Sequence, residues 1–288
     1  MVASSRARHT PRKMPLAAPP SGALVTYTRA LRDLVADVAA VTTRVLREEG
    51  LVHHDAPVRA DAADGAPPTP PRPMQLPLPG IPSTQVARVT SRMRRELRDL
   101  VQRRPLVASI DYVAELAQQH SRAQWQQQLR VAIGVDITAA EPDMAHLQRA
   151  FRRTNTDLIT SLVDEHVDRV RGVLSDAGVG TRVEDIAAEI ERATGATGSR
   201  ANLIARDQVL KLNADMTQTR HEAAGITEYI WRTSRDERVR KEHKLLDGTR
   251  HRYDDPPVVD ARRGERANPG TYYQCRCTAE PIIPGFDG

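Results

Sequence analysis

Cysteine and aromatic residues are scarce in this chain of 288 residues. Its two cysteines, Cys275 and Cys277, share one C-x-C, so the sequence lacks the disulfide framework that small secreted domains use. Phe, Trp and Tyr together make up only 3% of the residues, against 40% for all hydrophobic types. A core built mainly from Ala, Val, Leu and Ile favours helices packed on helices over a large sandwich or barrel.

Long apolar runs are also missing. No run approaches the roughly 18 residues that a membrane-spanning helix needs. The first 22 residues are basic and lack the uninterrupted apolar stretch of a signal peptide. We therefore expect a soluble chain with no membrane partner, in which residues 1–22 form a disordered basic arm.

Positive charge is concentrated in the front of the chain. The net charge is +5, but residues 1–104 hold 17 Lys and Arg against nine Asp and Glu, and the remainder is slightly acidic. This asymmetry points to an acidic or polyanionic partner for the front half, with a solvated helix face as the alternative explanation.

Amphipathic patterns predict helices as far as residue 225, because apolar residues recur there at helical spacing. Candidate caps at Thr181 and Ser199 and a stop at Gly225 divide the last part of this region into two shorter helices. The stretch 51–83 is dense in proline and predicts an extended, semi-rigid linker. The predicted helices cover residues 24–49, 84–104, 109–133, 143–176, 181–195 and 199–225.

The second predicted helix is rich in arginine, with seven arginines against two carboxylates. Four of these arginines line a side of the helix away from its apolar stripe, where they can meet phosphates or acidic side chains. The helix lacks interleaved aromatic residues for stacking on single strands. The candidates for DNA contact are Arg88, Arg92, Arg95 and Arg98.

The pattern of apolar and polar residues changes after Gly225. Residues 226–234 alternate apolar and polar types and predict a strand, and residues 271–283 are also strand-like. Between them, a short helix is predicted from Asp236 to Gly248, followed by turns and prolines. We thus predict an α+β fold with a predominantly helical, elongated N-terminal region and a small C-terminal α+β cap.

Several residues of this cap are candidates for holding its shape. Trp231 is predicted to anchor the sheet, because one buried indole is a large share of the apolar area in a chain with so few aromatics. Asp236 and Arg240 are four residues apart on the predicted helix, where an acid followed by a base forms a favourable pair. Gly248 supplies a backbone conformation that other residues resist.

The C-x-C pair lies on a predicted strand, where residues two apart face the same side. A disulfide between Cys275 and Cys277 would be strained. Together with His243 they could supply three of four zinc ligands, and Asp236 or His251 could complete the site. Buried free thiols and a redox-sensitive surface are the alternatives.

Enzymatic functions find less support in the residues. A metal-dependent nuclease needs a histidine base and a metal aimed at a phosphate, and no recognisable nuclease spacing is present. A cysteine nucleophile with His243 as its base lacks a convincing third group to orient it. No glycine loop for phosphate binding occurs either. We therefore expect a binding protein and assign no catalytic residue.

A set of short motifs in the last third of the chain resembles a known family. Taken together, their order and spacing closely resemble the C-terminal domain of phage Mu F-like minor head proteins, the head-morphogenesis family of tailed phages, over about residues 200–284. One position departs from the usual pattern, because Asp207 follows the Ala-Arg pair directly where the family has Glu after a Thr. The motifs are Ala205-Arg206-Asp207, Ala223-x-Gly225, Trp231, Thr233-Ser234 with Asp236, Arg240-x-x-His243, Leu246-Asp247-Gly248, Asn268-Pro269-Gly270 and Cys275-Arg276-Cys277.

The resemblance implies a virion component, made in the host cytoplasm and located in the head interior or at the portal vertex. Its implied partners are the portal protein, the major capsid protein and packaged DNA. A metal-dependent nuclease or toxin-like effector carried in the virion is the alternative. We expect the segments to be the basic arm (1–22), the first helix and linker (23–83), a helical body (84–199) and the Mu F-like domain (200–288). The expected structural motif consists of Trp231, Asp236, Arg240, His243, Asp247, Gly248, Cys275 and Cys277.

Overall fold

Five long helices and a small β-containing region make up the chain in the computed structural model, which describes residues 15, 17–52, 80–133, 141–179 and 181–283. Most of the predicted basic arm and of the proline-rich linker lies outside these residues. None of the described helices is both long and apolar enough to cross a bilayer. The long helices are α1 (Ser21–Glu48), α2 (Ser83–Arg103), α3 (Leu106–Ile133), α4 (Ala145–Asp176) and α5 (Val183–Ala223).

The chain divides into two compact units, each assembled from separated segments. The first, here called the helical unit, consists of Thr26–Ile110 and Arg152–Ala205. The second, called the cap unit, consists of Met1–Val25, Asp111–Phe151 and Arg206–Gly288.

The core of the helical unit follows the apolar stripes that the sequence predicts. Leu31, Leu34 and Val45 of α1 are fully buried, as are Met93 and Leu97 of α2. Because these residues recur every three or four positions, each helix places them on one face and leaves its charged residues in solvent. The predicted helices over 24–49, 84–104, 109–133 and 143–176 are therefore confirmed, with ends shifted by up to three residues.

The two shorter helices predicted after Thr181 are one continuous helix, α5. The prediction of a break was wrong because Gly195 and Gly198 weaken a helix by only about 1 kcal/mol each. Burial of the same segment outweighs that cost, since Ala193 and Thr197 are buried beside them. The Thr197 hydroxyl donates to the Ala193 carbonyl oxygen at 2.9 Å, a local bond within the helix.

The cap unit contains a three-stranded antiparallel sheet. The predicted strand over 226–234 is confirmed as the central strand, β1 (Glu228–Arg232). Trp231 pairs with Ala279 of one neighbouring strand, and Ile230 pairs with Arg250 of the other. A two-stranded hairpin and a short helix complete the unit. The remaining elements are α6 (Lys241–Leu246), β2 (Arg250–Arg252), β3 (Val258–Asp260), β4 (Glu265–Arg266) and β5 (Thr278–Pro281).

Two predicted elements of the cap are shorter than the sequence suggests. The helix predicted from Asp236 begins only at Lys241, because Arg235 has a φ of 56° and the Asp236 carboxylate accepts the N–H of Arg238 in a local turn. The strand-like stretch 271–283 is extended only from Thr278 onwards. Its first part is a turn in which Gln274 has a φ of 53°. The predominantly helical α+β fold is confirmed.

Candidate functional site

A histidine and both cysteines meet in the interior of the cap unit. The Nδ1 atom of His243 lies 3.6 Å from Cys275 Sγ and 3.5 Å from Cys277 Sγ. The three residues are only 2%, 3% and 5% exposed. Their ligand atoms all lie within 4.8 Å of one another, and no other such group of His, Cys, Asp and Glu occurs among the described residues. We call these three residues the thiol–imidazole cluster.

Two short segments of the cap unit position the cluster. His243 is the buried residue of α6, whose other early residues face solvent. Cys275 and Cys277 lie in the irregular segment just before β5, not within a strand as predicted. Both sulfurs nevertheless point toward the histidine, because each lies within 3.6 Å of its Nδ1 atom. The cluster was thus predictable from spacing, although the predicted element was wrong.

Hydrogen-bond donors converge on one of the two sulfurs. Cys275 Sγ accepts the backbone N–H of Gly270 and of Cys277, each at 3.4 Å. The pKa of the Cys275 thiol is lowered, first because the Cys277 thiol bonds to it and then because His243 and the two N–H groups contact it. The pKa of Cys277 is raised by the same bond and by burial. Cys275 is therefore the sulfur that favours the thiolate form.

Trp231 forms a wall of the cluster. It is completely buried on β1, as the sequence predicts. Its indole meets the His243 ring edge to face, with centroids 5.4 Å apart and planes at 85°. An edge-to-face contact of this kind is favourable and fixes the orientation of the imidazole.

Asp236 and Arg240 belong to two separate contacts. Asp236 Oδ1 accepts a hydrogen bond from Arg276 at 2.6 Å. Arg240 donates to the carbonyl oxygen of Tyr273 at 2.8 Å, and its guanidinium lies 5.3 Å from the Tyr272 ring centre. The predicted pair between Asp236 and Arg240 does not form, because the helix that would align them begins after both. Each residue instead ties the 235–240 turn to the C-x-C segment.

Asp247 and Gly248 close the loop that follows β1. Asp247 Oδ1 accepts the backbone N–H of Thr233 at 2.8 Å. Gly248 has a φ of 82°, a conformation that favours glycine, and its N–H donates to the Trp231 carbonyl oxygen at 2.8 Å. The two residues thus fasten the end of α6 to β1.

Asp207 and Asn268 hold loops of the cap in place. Both occur in the motifs, but neither was predicted to be a site residue. Asp207 of α5 accepts the N–H of Gln274 at 2.7 Å, which pins the turn before the C-x-C. Asn268 accepts from Tyr229 Oη at 2.9 Å and donates to the Tyr253 carbonyl oxygen at 3.1 Å. Their presence in the motifs Ala205-Arg206-Asp207 and Asn268-Pro269-Gly270 was the only signal in the sequence.

Comparison with known proteins locates this site within a family. Residues 170–280 match the family described as Phage Mu protein F like protein. This segment is similar to the Mu F-like family. All three residues of the thiol–imidazole cluster, with Trp231, lie inside the matched range. The resemblance stated from the motifs is confirmed over residues 170–280.

One relative extends the similarity beyond the family segment. An uncharacterized protein of Haemophilus influenzae is 36% identical over 159 residues, which is 54% of this chain. The aligned part is 34% of the relative, so the chain matches about a third of that protein's length. No solved structure matches the chain significantly.

A cavity of about 390 Å³ adjoins the cluster in the cap unit. Both cysteines of the Mu F-like segment line it, as do Asp236 and Arg276. Asn268 lines it from the neighbouring loop. The cavity places open space beside both cysteines, whose side chains are themselves buried.

The arginines predicted to contact DNA lie outside the Mu F-like segment, on α2 in the helical unit. Three of the four are paired with carboxylates of the same unit. Arg95 is exposed and forms no ion pair with the described residues. Acidic side chains thus occupy much of the surface that phosphates would need. The pairs are Arg88 with Glu49 (2.8 Å), Arg92 with Glu96 (2.8 Å) and Arg98 with Asp164 (2.9 Å).

Proposed function

We propose that this chain is a minor head protein of a tailed phage that binds the portal protein at the portal vertex. The observation that carries the proposal is the match of residues 170–280 to the Mu F-like family. In this proposal the protein reaches the head interior during assembly and remains there in few copies. Its contacts are with the portal and with the adjoining major capsid protein.

The internal bonding of the cap supports a structural role over a catalytic one. Asp236, Arg240 and Asp247 all bond to neighbouring backbone or side chains of the same unit. A catalytic acid or base must instead reach a substrate atom within hydrogen-bond distance. The polar groups of the motifs hold loops together, and the surface around them is free to bind a partner.

Exposed apolar side chains on the cap offer a contact surface for the portal. Leu245 on α6 is 81% exposed, and Val258 on the adjacent strand β3 is 41% exposed. Single exposed apolar residues are common, but two on neighbouring elements form the beginning of a patch. We propose that this patch, defined by Leu245 and Val258, meets the portal protein.

Co-purification with the portal protein tests the proposal. The full chain should appear by mass spectrometry in purified virions at low copy and should be retained on immobilised portal assemblies. Leu245→Asp should weaken that retention at least about tenfold, because a charge would be buried in an apolar contact. Val179→Asp is the matched control, since Val179 is 89% exposed but lies in the helical unit.

Three results would contradict this role. One is the absence of the chain from mature virions, and another is equal retention of both aspartate variants. The third is metal-dependent cleavage of DNA by the purified chain, which would favour the nuclease or effector alternative.

Contact with packaged DNA is a second part of the proposal and depends on α2. Arg95 is the best candidate, because the other three arginines are already paired. A contact with few phosphates predicts weak binding whose affinity falls only gently as salt rises. Arg95→Glu should weaken binding to duplex DNA in fluorescence anisotropy, and exposed Arg171→Glu on α4 is the control. Equal loss in both variants would exclude a specific role for Arg95.

A further inference from the structure

We propose that the thiol–imidazole cluster is a zinc site, in which His243 Nδ1, Cys275 Sγ and Cys277 Sγ bind one Zn²⁺ ion. Thiolate and imidazole are the ligands that zinc prefers, and a site with one histidine and two cysteines is a known ligand set. The assignment depends on these side chains alone and is independent of the proposed role in the virion.

The separation of the ligand atoms fits a tetrahedral ion. Zinc binds sulfur at about 2.3 Å and imidazole nitrogen at about 2.0–2.1 Å, which places the two ligands about 3.6 Å apart at a tetrahedral angle. The observed distances from His243 Nδ1 are 3.6 Å to Cys275 Sγ and 3.5 Å to Cys277 Sγ. An imidazole nitrogen can form only one linear hydrogen bond, so near-equal distances to two sulfurs favour an ion shared by all three atoms.

The surroundings of the cluster suit ligands that are bound to a metal. The N–H groups of Gly270 and Cys277 point at Cys275 Sγ, and such donors stabilise a negatively charged sulfur. Two thiolates neutralise the double charge of the ion, which lowers the cost of keeping it in the protein interior. Packing against Trp231 holds the imidazole in place.

The fourth ligand is not a protein side chain in this assignment. Asp236, an initial candidate, is bonded to Arg276 at 2.6 Å, and the other candidate, His251, lies 2.6 Å from Thr249 Oγ1. The cavity lined by both cysteines has room for a water molecule beside them. We therefore assign the fourth position to water.

Metal analysis of the full chain tests the assignment. The protein is produced with an affinity tag that lacks histidine and purified without chelator, and its zinc content is measured by plasma mass spectrometry. About one zinc ion per chain is expected for wild type. The double variant Cys275→Ser, Cys277→Ser should lose it, whereas His251→Gln should retain it as the matched control.

Cobalt substitution provides a readout that does not require the variants to fold. Wild-type protein reloaded with Co²⁺ should show the thiolate-to-cobalt absorption and intense visible bands of a tetrahedral site with sulfur ligands. Folded wild-type protein that contains only background zinc, and shows neither spectrum nor thermal shift with added metal, would overturn the proposal. Two free thiols in that protein on titration after unfolding would identify buried thiols, and none would identify a disulfide.

Discussion

At the scale of single residues, His166 on α4 has an unusual environment in the core of the helical unit. The ring is fully buried and lies 2.9 Å from Thr42 Oγ1 through Nε2 and 3.0 Å from Thr197 Oγ1 through Nδ1. Burial, assisted by the charge of Arg169, lowers the pKa of His166 from 6.5 to about 4. The neutral imidazole can thus bridge the two hydroxyls between α1 and α5, and protonation would place a charge in the core.

This lowered pKa predicts a loss of stability in acid. Below about pH 6.5 His166 is protonated in the unfolded chain, whereas in the folded chain it stays neutral until about pH 4. The contribution of neutral His166 to the free energy of unfolding is therefore fully present above pH 6.5. It is lost as the pH falls toward 4, by up to about 3 kcal/mol.

Urea unfolding between pH 7 and pH 4.5 should show a shallower decline in the free energy of unfolding for His166→Gln than for wild type. His146→Gln, at an exposed position of the same helix, is the control. Parallel curves for wild type and His166→Gln would disprove the prediction.

Gly270 gives a second prediction at this scale, because it lies against α5 with a φ of 86°. A Cβ there would be 2.7 Å from the Cβ of Ala214 and 3.3 Å from the carbonyl oxygen of Cys277. Gly264 has a similar φ of 65°, but nothing lies within 4 Å of the position that a Cβ would occupy, so it isolates the backbone cost. Gly264→Ala should lower the free energy of unfolding by about 1 kcal/mol and Gly270→Ala by about 3 kcal/mol. Equal losses in chemical denaturation would show that the close approach to α5 is absent.

The candidate site could be predicted from the sequence where its chemistry is local. The C-x-C spacing identifies Cys275 and Cys277 as a pair, and Trp231 stands out because aromatic residues are rare in the chain. The hydrogen bond from Gln274 to Asp207 could not be foreseen, because it joins positions 67 residues apart with no pattern that links them. That bond pins the turn before the C-x-C, and the turn was equally out of reach.

At the scale of elements, α5 shows why a sequence of helix signals can mislead. Thr181 and Ser199 are both good caps, and glycine at 195 and 198 is typical of a boundary. The structure nevertheless continues the helix through this segment. Packing decides the outcome, since Ala193, Thr197 and Ala201 around these glycines are buried. Propensity is a weak preference that tertiary burial readily overrides.

Substitutions at Gly195 test the continuity of α5. Gly195 is exposed, and nothing lies within 4 Å of its Cβ position, so changes there report on the backbone alone. In a continuous helix Gly195→Ala should raise the free energy of unfolding by about 1 kcal/mol. Gly195→Pro should lower it by about 3 kcal/mol, because it removes a helical hydrogen bond and its ring clashes with the preceding turn. If the chain had a loop here, proline would be tolerated and alanine would bring little gain.

At the scale of the whole molecule, the cap unit is built from segments that are distant in the sequence. Arg220 of α5 is 1% exposed, and its guanidinium is paired with Glu141 and donates to Ser121 Oγ at 2.6 Å. Ile226 packs with Trp125 of α3 in a small apolar cluster. Both contacts join residues of the Mu F-like segment to partners about 80 to 100 positions earlier in the chain. The boundary predicted at residue 200 was placed where the motifs begin. The contacts of Arg220 and Ile226 are made by buried residues, and the motifs carry no information about their partners.

A fragment experiment follows from this arrangement. Residues 200–288 alone would leave the charge of Arg220 without Glu141 and would expose Ile226 to water, so cooperative unfolding should be lost. Addition of a separate 106–151 fragment should restore a cooperative transition, because the fragment supplies both the carboxylate and the apolar partner. The two fragments should also co-purify.

Trp125→Ala in the added fragment is the control and should weaken association, since it leaves a cavity beside Ile226 that costs about 3–5 kcal/mol. A cooperative transition of 200–288 by itself, unchanged by the second fragment, would instead mean that the motif-bearing segment folds without the helix that precedes it.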